Sequence, residues 1–168
     1  DPSRLTLKII KSLIEGGAER QSWHLHIVIG PGFAHGDEVR CAAGELGPHT
    51  LYENVEDMAE LMEGCDIGLI SPGATLLEMC ALGKPSLTVA HNEQEARFAR
   101  GFHAAGATQF LGVAVDLEAI DISGALFALC GDHGERVWVA AQAKRFIDGK
   151  GGIRVARVID ERMSALSA

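Results

Sequence analysis

The chain has 168 residues, 47% of them apolar, enough to bury the core of one domain, so residues 1–168 read as a single unit. With 23 acidic against 15 basic residues the formal net charge is −8, which argues against a surface built to track the phosphates of DNA or RNA. No apolar run approaches the ~18 residues of a membrane span, Asp1-Pro2-Ser3-Arg4 lacks the layout of a signal peptide, and Cys41, Cys65, Cys80 and Cys130 form no CxxC pair, so a cytoplasmic protein with reduced thiols is expected.

Helical and strand patterns alternate along the chain. Leu5, Ile9 and Leu13 recur with Ile10 and Ile14 at helical spacing until Gly16-Gly17, with Asp1 as the expected cap and Pro2 at the first helical position. A β-branched run over 24–29 predicts a strand, closed by Gly30-Pro31-Gly32. Helices are predicted over 37–46, 55–63, 75–82 and 93–105, alternating with strands over 50–52, 66–70, 85–90 and 109–111. Three further helices, over 117–129, 135–146 and 153–166, complete the chain.

Continuous apolar strands separated by helices imply a parallel sheet covered on both faces, because each crossover carries a helix back over the sheet. The expected fold class is therefore α/β, a Rossmann-like three-layer domain. Ligands of such sheets sit outside the carboxyl ends of the strands, which directs attention to the loops after Ile29, Tyr52, Ile70 and Ala90. Opening on a helix is unusual for this architecture. A first strand with a glycine-rich turn is expected upstream, and the chain is expected to be the carboxyl-terminal piece of something longer.

Three segments carry candidate chemistry. In Ser71-Pro72-Gly73-Ala74-Thr75, followed by Glu78, a strand passes through small residues into a helix amino terminus. Gly73 and Ala74 permit close backbone approach, the first helical amides point at a bound anion, Thr75 adds a hydroxyl, and Glu78 could accept from a ribose diol. Thr75 as a simple cap paired with Glu78 reads equally well. The segment His91-Asn92-Glu93-Gln94 opens the next helix at the same edge of the sheet, where Asn92 and Gln94 could bind sugar hydroxyls, although capping by Asn92 accounts for the pattern locally. Asn54 and Val55, with Met58 and Met62 behind them, offer a loop on which a planar base could lie; the alternative is core packing with Asn54 as a cap.

Other motifs carry less. His24 and His26 project to one face of a strand without a third ligand to complete a metal site, and there is no HExxH, GxGxxG, Walker lysine or GxSxG elbow. No metal and no cofactor is expected.

Asn54-Val55 with Met58, Met62, Cys65-Asp66, the Ser71 to Thr75 turn, Glu78, the run Ala81-Leu82-Gly83-Lys84-Pro85 and Asn92-Glu93-Gln94 occur in one familiar order. In these residues the chain resembles the carboxyl-terminal domain of GT-B enzymes over nearly its whole length. With Asp1-Pro2, Ala81 to Pro85 and Asp148-Gly149-Lys150-Gly151-Gly152 it is most similar to the UDP-sugar hydrolases of pseudaminic acid biosynthesis. Spore-coat polysaccharide enzymes and the UDP-N-acetylglucosamine transferases of lipid II synthesis share much of the pattern.

The resemblance implies a UDP-sugar ligand. The diphosphate would lie on Ser71, Gly73, Ala74 and Thr75, the ribose on Glu78, the uracil beside Asn54, Val55 and Met58, and the sugar near Asn92 and Gln94. Two departures stand out: Pro72 replaces a small or basic residue, and His91 and Glu93 interrupt the usual Asn-Gln neighbourhood. In the hydrolases the water-activating histidine belongs to the amino-terminal domain, so no catalytic residue is expected in this chain and an amino-terminal domain is the expected partner. The function implied is the nucleotide-sugar-binding half of an enzyme releasing UDP from a UDP-linked diacetamido-trideoxy sugar. The alternatives are the donor domain of a GT-B glycosyltransferase for surface or spore-coat polysaccharide, and a non-catalytic flavodoxin-like interaction domain.

Overall fold

The computed structural model describes residues 4–30 and 32–166, apart from the side chains of Arg20, Ala119 and Ile120. The chain order is α1 (Leu5–Glu15), a short 3-10 helix (Ala18–Arg20), β1 (Leu25–Ile29), α2 (Gly36–Ala43), β2 (His49–Glu53), α3 (Met58–Glu63), β3 (Gly68–Ile70) and α4 (Ala74–Leu82). It continues through β4 (Ser86–Ala90), α5 (Glu93–Ala104), β5 (Gln109–Val113), α6 (Ala119–Gly131), α7 (His133–Phe146) and α8 (Gly151–Leu166). Every strand and every main helix read from the periodicity is present, and the boundaries move by a few residues.

The first helix begins at Leu5 behind Arg4, which adopts a left-handed conformation with φ 51°. The expected roles of Asp1 and Pro2, and the proline of the Gly30-Pro31-Gly32 turn, fall outside the described residues. The helix expected from Val55 begins at Met58 instead. Its cap is Asp57, whose Oδ1 accepts from the Glu60 amide at 3.0 Å, whereas Asn54 takes a left-handed turn conformation with φ 53°. Both residues are good caps by chemistry, and the chain turns at the first and caps with the second.

All strand pairings are parallel, as the alternation of strands and helices requires. Among the described residues the strands fall into two sheets. β1 pairs with β2 in one sheet, and β3, β4 and β5 form a second in that order. One helical layer spans both. Leu7, Ile10 and Leu13 of α1 cluster with Ile29 of β1, Val39 and Ala43 of α2, Leu126 and Leu129 of α6, and Leu87 of β4. Leu5 of α1 also packs with Val89 and Ala114 on the second sheet. On the opposite face of that sheet Leu76 and Cys80 of α4, Phe102 of α5 and Ala143 of α7 form a separate cluster.

β4 is central to its sheet and buried throughout, with Leu87 in the cluster under α1 and α6 and Val89 in the cluster with Leu5 and Ala114. Leu76, Leu87 and Val89 are fully buried, each worth about 1.5–3 kcal/mol in transfer from water. The buried hydroxyls are matched: Ser86 Oγ lies 2.8 Å from Thr108 Oγ1, and Ser12 Oγ accepts from the Ser123 amide at 3.1 Å, tying α1 to α6. This packing fixes the carboxyl ends of β3 and β4, from which the candidate site is built. Helix α8 buries none of its described residues and exposes Ile153, Val155, Ile159 and Met163. Among the described residues no helix is long and apolar enough to cross a membrane.

Candidate functional site

The short apolar strand β3 ends at Ile70, and Ser71-Pro72 turns the chain so that α4 starts at Ala74. The residue before the helix is Gly73, in extended backbone (φ 166°, ψ −151°), and no side chain caps the helix. The amides of the first turn of α4 are therefore not claimed by a capping oxygen and can address an anion. A Cβ built on Gly73 would meet nothing within 4 Å, so the ground in front of this helix end is open. The capping alternative for Thr75 does not hold, because the cap position is two residues earlier. Thr75 sits within the first turn, half-buried, and Glu78 lies exposed one turn further along.

At the end of β4 the chain turns through His91 and Asn92 into α5. Asn92 is the cap, accepting from the Glu95 amide at 3.0 Å, so the local reading of this residue is correct. Glu95 reciprocates: its Oε2 accepts from the His91 amide at 2.8 Å and its Oε1 from Asn92 Nδ2 at 3.3 Å. These three hydrogen bonds tie the loop to the first turn of α5. Arg100 donates to Glu93 and holds that carboxyl below its usual range.

The two loops border an open cavity of about 440 Å³ lined by Pro72, Gly73, Asn92, Gln94, Glu95 and Phe98. Three expected site residues, Gly73, Asn92 and Gln94, thus meet in one space. Ser71 joins the same edge through its Oγ, 2.9 Å from His91 Nε2. Ala74, Thr75 and Glu78 lie on α4 beside the cavity without lining it. Asn54, Val55 and Met58 sit at the carboxyl end of β2 in the other sheet, with Asn54 exposed and the other two half-buried.

Sequence reasoning missed Glu95, Phe98 and the Ser71–His91 pair. Phe98 carried a signal: an apolar side chain one turn after Gln94 on a polar helix, 42% exposed in the structure. The pair carried none, since its members are 20 residues apart and meet only because β3 and β4 are adjacent.

The two strand histidines are hydrogen-bonded surface groups, His24 Nε2 to Thr50 Oγ1 at 2.7 Å and His26 Nδ1 to Tyr52 Oη at 2.8 Å. Among the described residues no three His, Cys, Asp or Glu side chains are grouped to hold a metal ion. The four cysteines are unpaired, and burial pushes the Cys80 thiol up to about 11, which makes it a poor nucleophile.

No protein-family model matches the chain. It is 32% identical over 96 residues, 55% of its length, to an uncharacterized protein of Methanocaldococcus jannaschii, of which that stretch is 19%. It is 23% identical over 161 residues, 96% of its length and 47% of the relative's, to the spore coat polysaccharide biosynthesis protein SpsG of Bacillus subtilis. The chain thus spans less than half the length of either relative. Among solved structures it superposes on Acinetobacter baumannii MurG with a TM-score of 0.72 at 15% identity, covering 90% of this chain and 46% of that one. It also superposes on the UDP-GlcNAc 2-epimerase of Neisseria meningitidis bound to UDP-GlcNAc (TM-score 0.69, 17% identity, 92% and 40% covered). A third match is the spinosyn forosaminyltransferase SpnP (0.63, 19%, 95% and 40%). The fold is that of the Rossmann-like domains of GT-B enzymes.

Proposed function

We propose that this chain is the nucleotide-sugar-binding part of a GT-B enzyme, that it holds the UDP moiety, and that the whole protein breaks the bond between the sugar's anomeric carbon and UDP. The observation that carries this reading is the uncapped start of α4, with Gly73 facing a cavity shared with the β4–α5 loop. A diphosphate at that helix end would receive hydrogen bonds from the first-turn amides, favoured by the helix dipole. The Thr75 hydroxyl would add a donor. Glu78, one turn on and exposed, would accept from the ribose diol, and the Asn54-Val55 loop with Met58 would flank the base. Asn92 and Gln94, together with Phe98, would border the sugar.

In this reading the chain binds and orients the donor, and the opposite wall of the cleft, with the acid-base group, comes from another domain. The similarity in Ala81 to Pro85 and Asp148 to Gly152 favours water as acceptor, making the enzyme a UDP-sugar hydrolase acting on a diacetamido-trideoxy sugar. Transfer to an acceptor hydroxyl is the second reading. The fold match to a forosaminyltransferase and to MurG, with the likeness to a spore coat polysaccharide protein, supports it comparably.

The test is selectivity measured by calorimetry. UDP should bind the purified domain more tightly than ADP or GDP, with modest affinity because half of a two-domain cleft leaves the ligand partly hydrated. Glu78→Gln should weaken UDP binding by about 1–3 kcal/mol, and the loss should shrink for 2′-deoxy-UDP. Equal binding of ADP and UDP would refute the assignment.

A further inference from the structure

The cavity presents an electrostatic problem for the ligand just described. Its lining includes the Glu95 carboxylate and no Lys or Arg. A diphosphate diester carries two negative charges, and the amides of one helix end supply about half an elementary charge. The basic group that directly adjoins this edge is His91, whose Nε2 lies 2.9 Å from Ser71 Oγ at the mouth of the β3–α4 turn.

That contact determines what Ser71 can offer a ligand. In the neutral ring with its proton on Nδ1, Nε2 accepts the Ser71 hydroxyl hydrogen, and the serine oxygen presents lone pairs beside the cavity. Protonated at Nε2, His91 donates to Ser71 Oγ, and the hydroxyl hydrogen is released to bond a phosphate oxygen. A hydrogen bond that would otherwise repel the anion then attracts it, and the imidazolium adds a positive charge behind it.

Resting on the nucleotide-sugar reading of this cavity, we propose that His91 is a positioning residue that acts through Ser71, setting the donor direction of the diphosphate edge and linking ligand binding to imidazole protonation. The charged groups on the elements around His91 are few. Glu95 of α5 takes the His91 amide, and Glu93 is neutralised by Arg100. Glu78 is on the exposed side of α4, and Asp116 follows β5. Lys8 of α1 donates to the Ala114 carbonyl, next to the end of β4, since the Ala114 amide bonds Ala90.

The probe is UDP-N-acetylglucosamine, whose diphosphate has no ionisation near neutrality, titrated by calorimetry at about pH 6 and about pH 8, on either side of the histidine range. The parent domain should bind about five- to tenfold more tightly at the lower pH. His91→Asn and Ser71→Ala should both flatten that profile while leaving the melting transition in place, which a merely structural role for the pair would not do. A parent affinity that ignores pH, or a pH dependence that survives in both variants, overturns the inference. If binding is pH-independent yet abolished by Gly73→Asp, this inference alone fails. If UDP-N-acetylglucosamine binds at neither pH, the nucleotide reading of the cavity fails and takes this inference with it.

Discussion

The substitution Gly73→Asp separates a ligand-binding helix end from an ordinary one, because the two interpretations predict different pairs of signs. Gly73 has extended backbone rather than the left-handed conformation that favours glycine, and a Cβ there meets nothing within 4 Å, so an aspartate fits without strain. Removing glycine freedom from the unfolded chain contributes about 0.4–1 kcal/mol. Asp improves on Gly as a cap by a few tenths, and its charge against the helix dipole contributes about 0.3–1 kcal/mol. The fold should therefore gain about 1 kcal/mol, a rise of about 2–4 °C in Tm for a chain of this size, read by differential scanning calorimetry. The same carboxylate takes the first-turn amides and repels an incoming diphosphate. UDP affinity should fall by about 2 kcal/mol or more, roughly 30-fold, in an isothermal titration. A stabilised variant that binds UDP as the parent does would show that this helix end is not where the anion sits.

Gly83→Ala should do the reverse. Gly83 ends α4 in the left-handed region at φ 68°, with the Lys84 amide reaching back to the Met79 carbonyl at 2.9 Å, and a Cβ there would fall 2.3 Å from Lys144 Cε. Strain of about 1–2 kcal/mol with displacement of the lysine stem should lower Tm by about 2–8 °C with UDP affinity unchanged, checked by the same two calorimetries. Asp148 accepts from the Lys150 amide and from Arg154 at the start of α8, and these partners hold its carboxyl down at about 2. A depressed value stabilises above the unfolded value of about 3.9 and is lost as pH falls through the folded one, so amide exchange in the first turn of α8 should accelerate relative to α7 between about pH 4 and pH 2. Asp148→Asn should show fast exchange there at neutral pH, with no such transition.

Periodicity was a sound guide wherever one residue's environment decided its role. The run Ser86 to Ala90 is apolar enough to predict the interior strand that β4 is, and Asn92 caps α5 as its chemistry and position require. It was a poor guide where two residues competed, as Asn54 and Asp57 did for the start of α3. It was silent on what depends on pairing between distant segments. Nothing in residues 24–29 or 66–70 says whether those strands neighbour each other, and the structure places them in separate sheets. For the same reason Ser71 and His91 read as unrelated residues until the adjacency of β3 and β4 brought them together. The stripe of Val155, Ile159 and Met163 would look the same on a covered helix as on the exposed α8.

The interval between the two sheets bears on how the fold is completed. Neither β1 nor β3 has a second strand partner among the described residues, and side-chain packing through Leu7, Ile10, Leu126 and Leu129 joins the two sheets beneath α1 and α6. In the 3-2-1-4-5-6 order of doubly wound sheets, a pair such as β2–β1 and a run such as β3–β4–β5 flank one further parallel strand, the first strand expected from the sequence pattern. Such a strand would add a backbone ladder to both β1 and β3, and the turn after it would lie between the Asn54-Val55 loop and the start of α4, the two places to which the proposed reading assigns the base and the diphosphate.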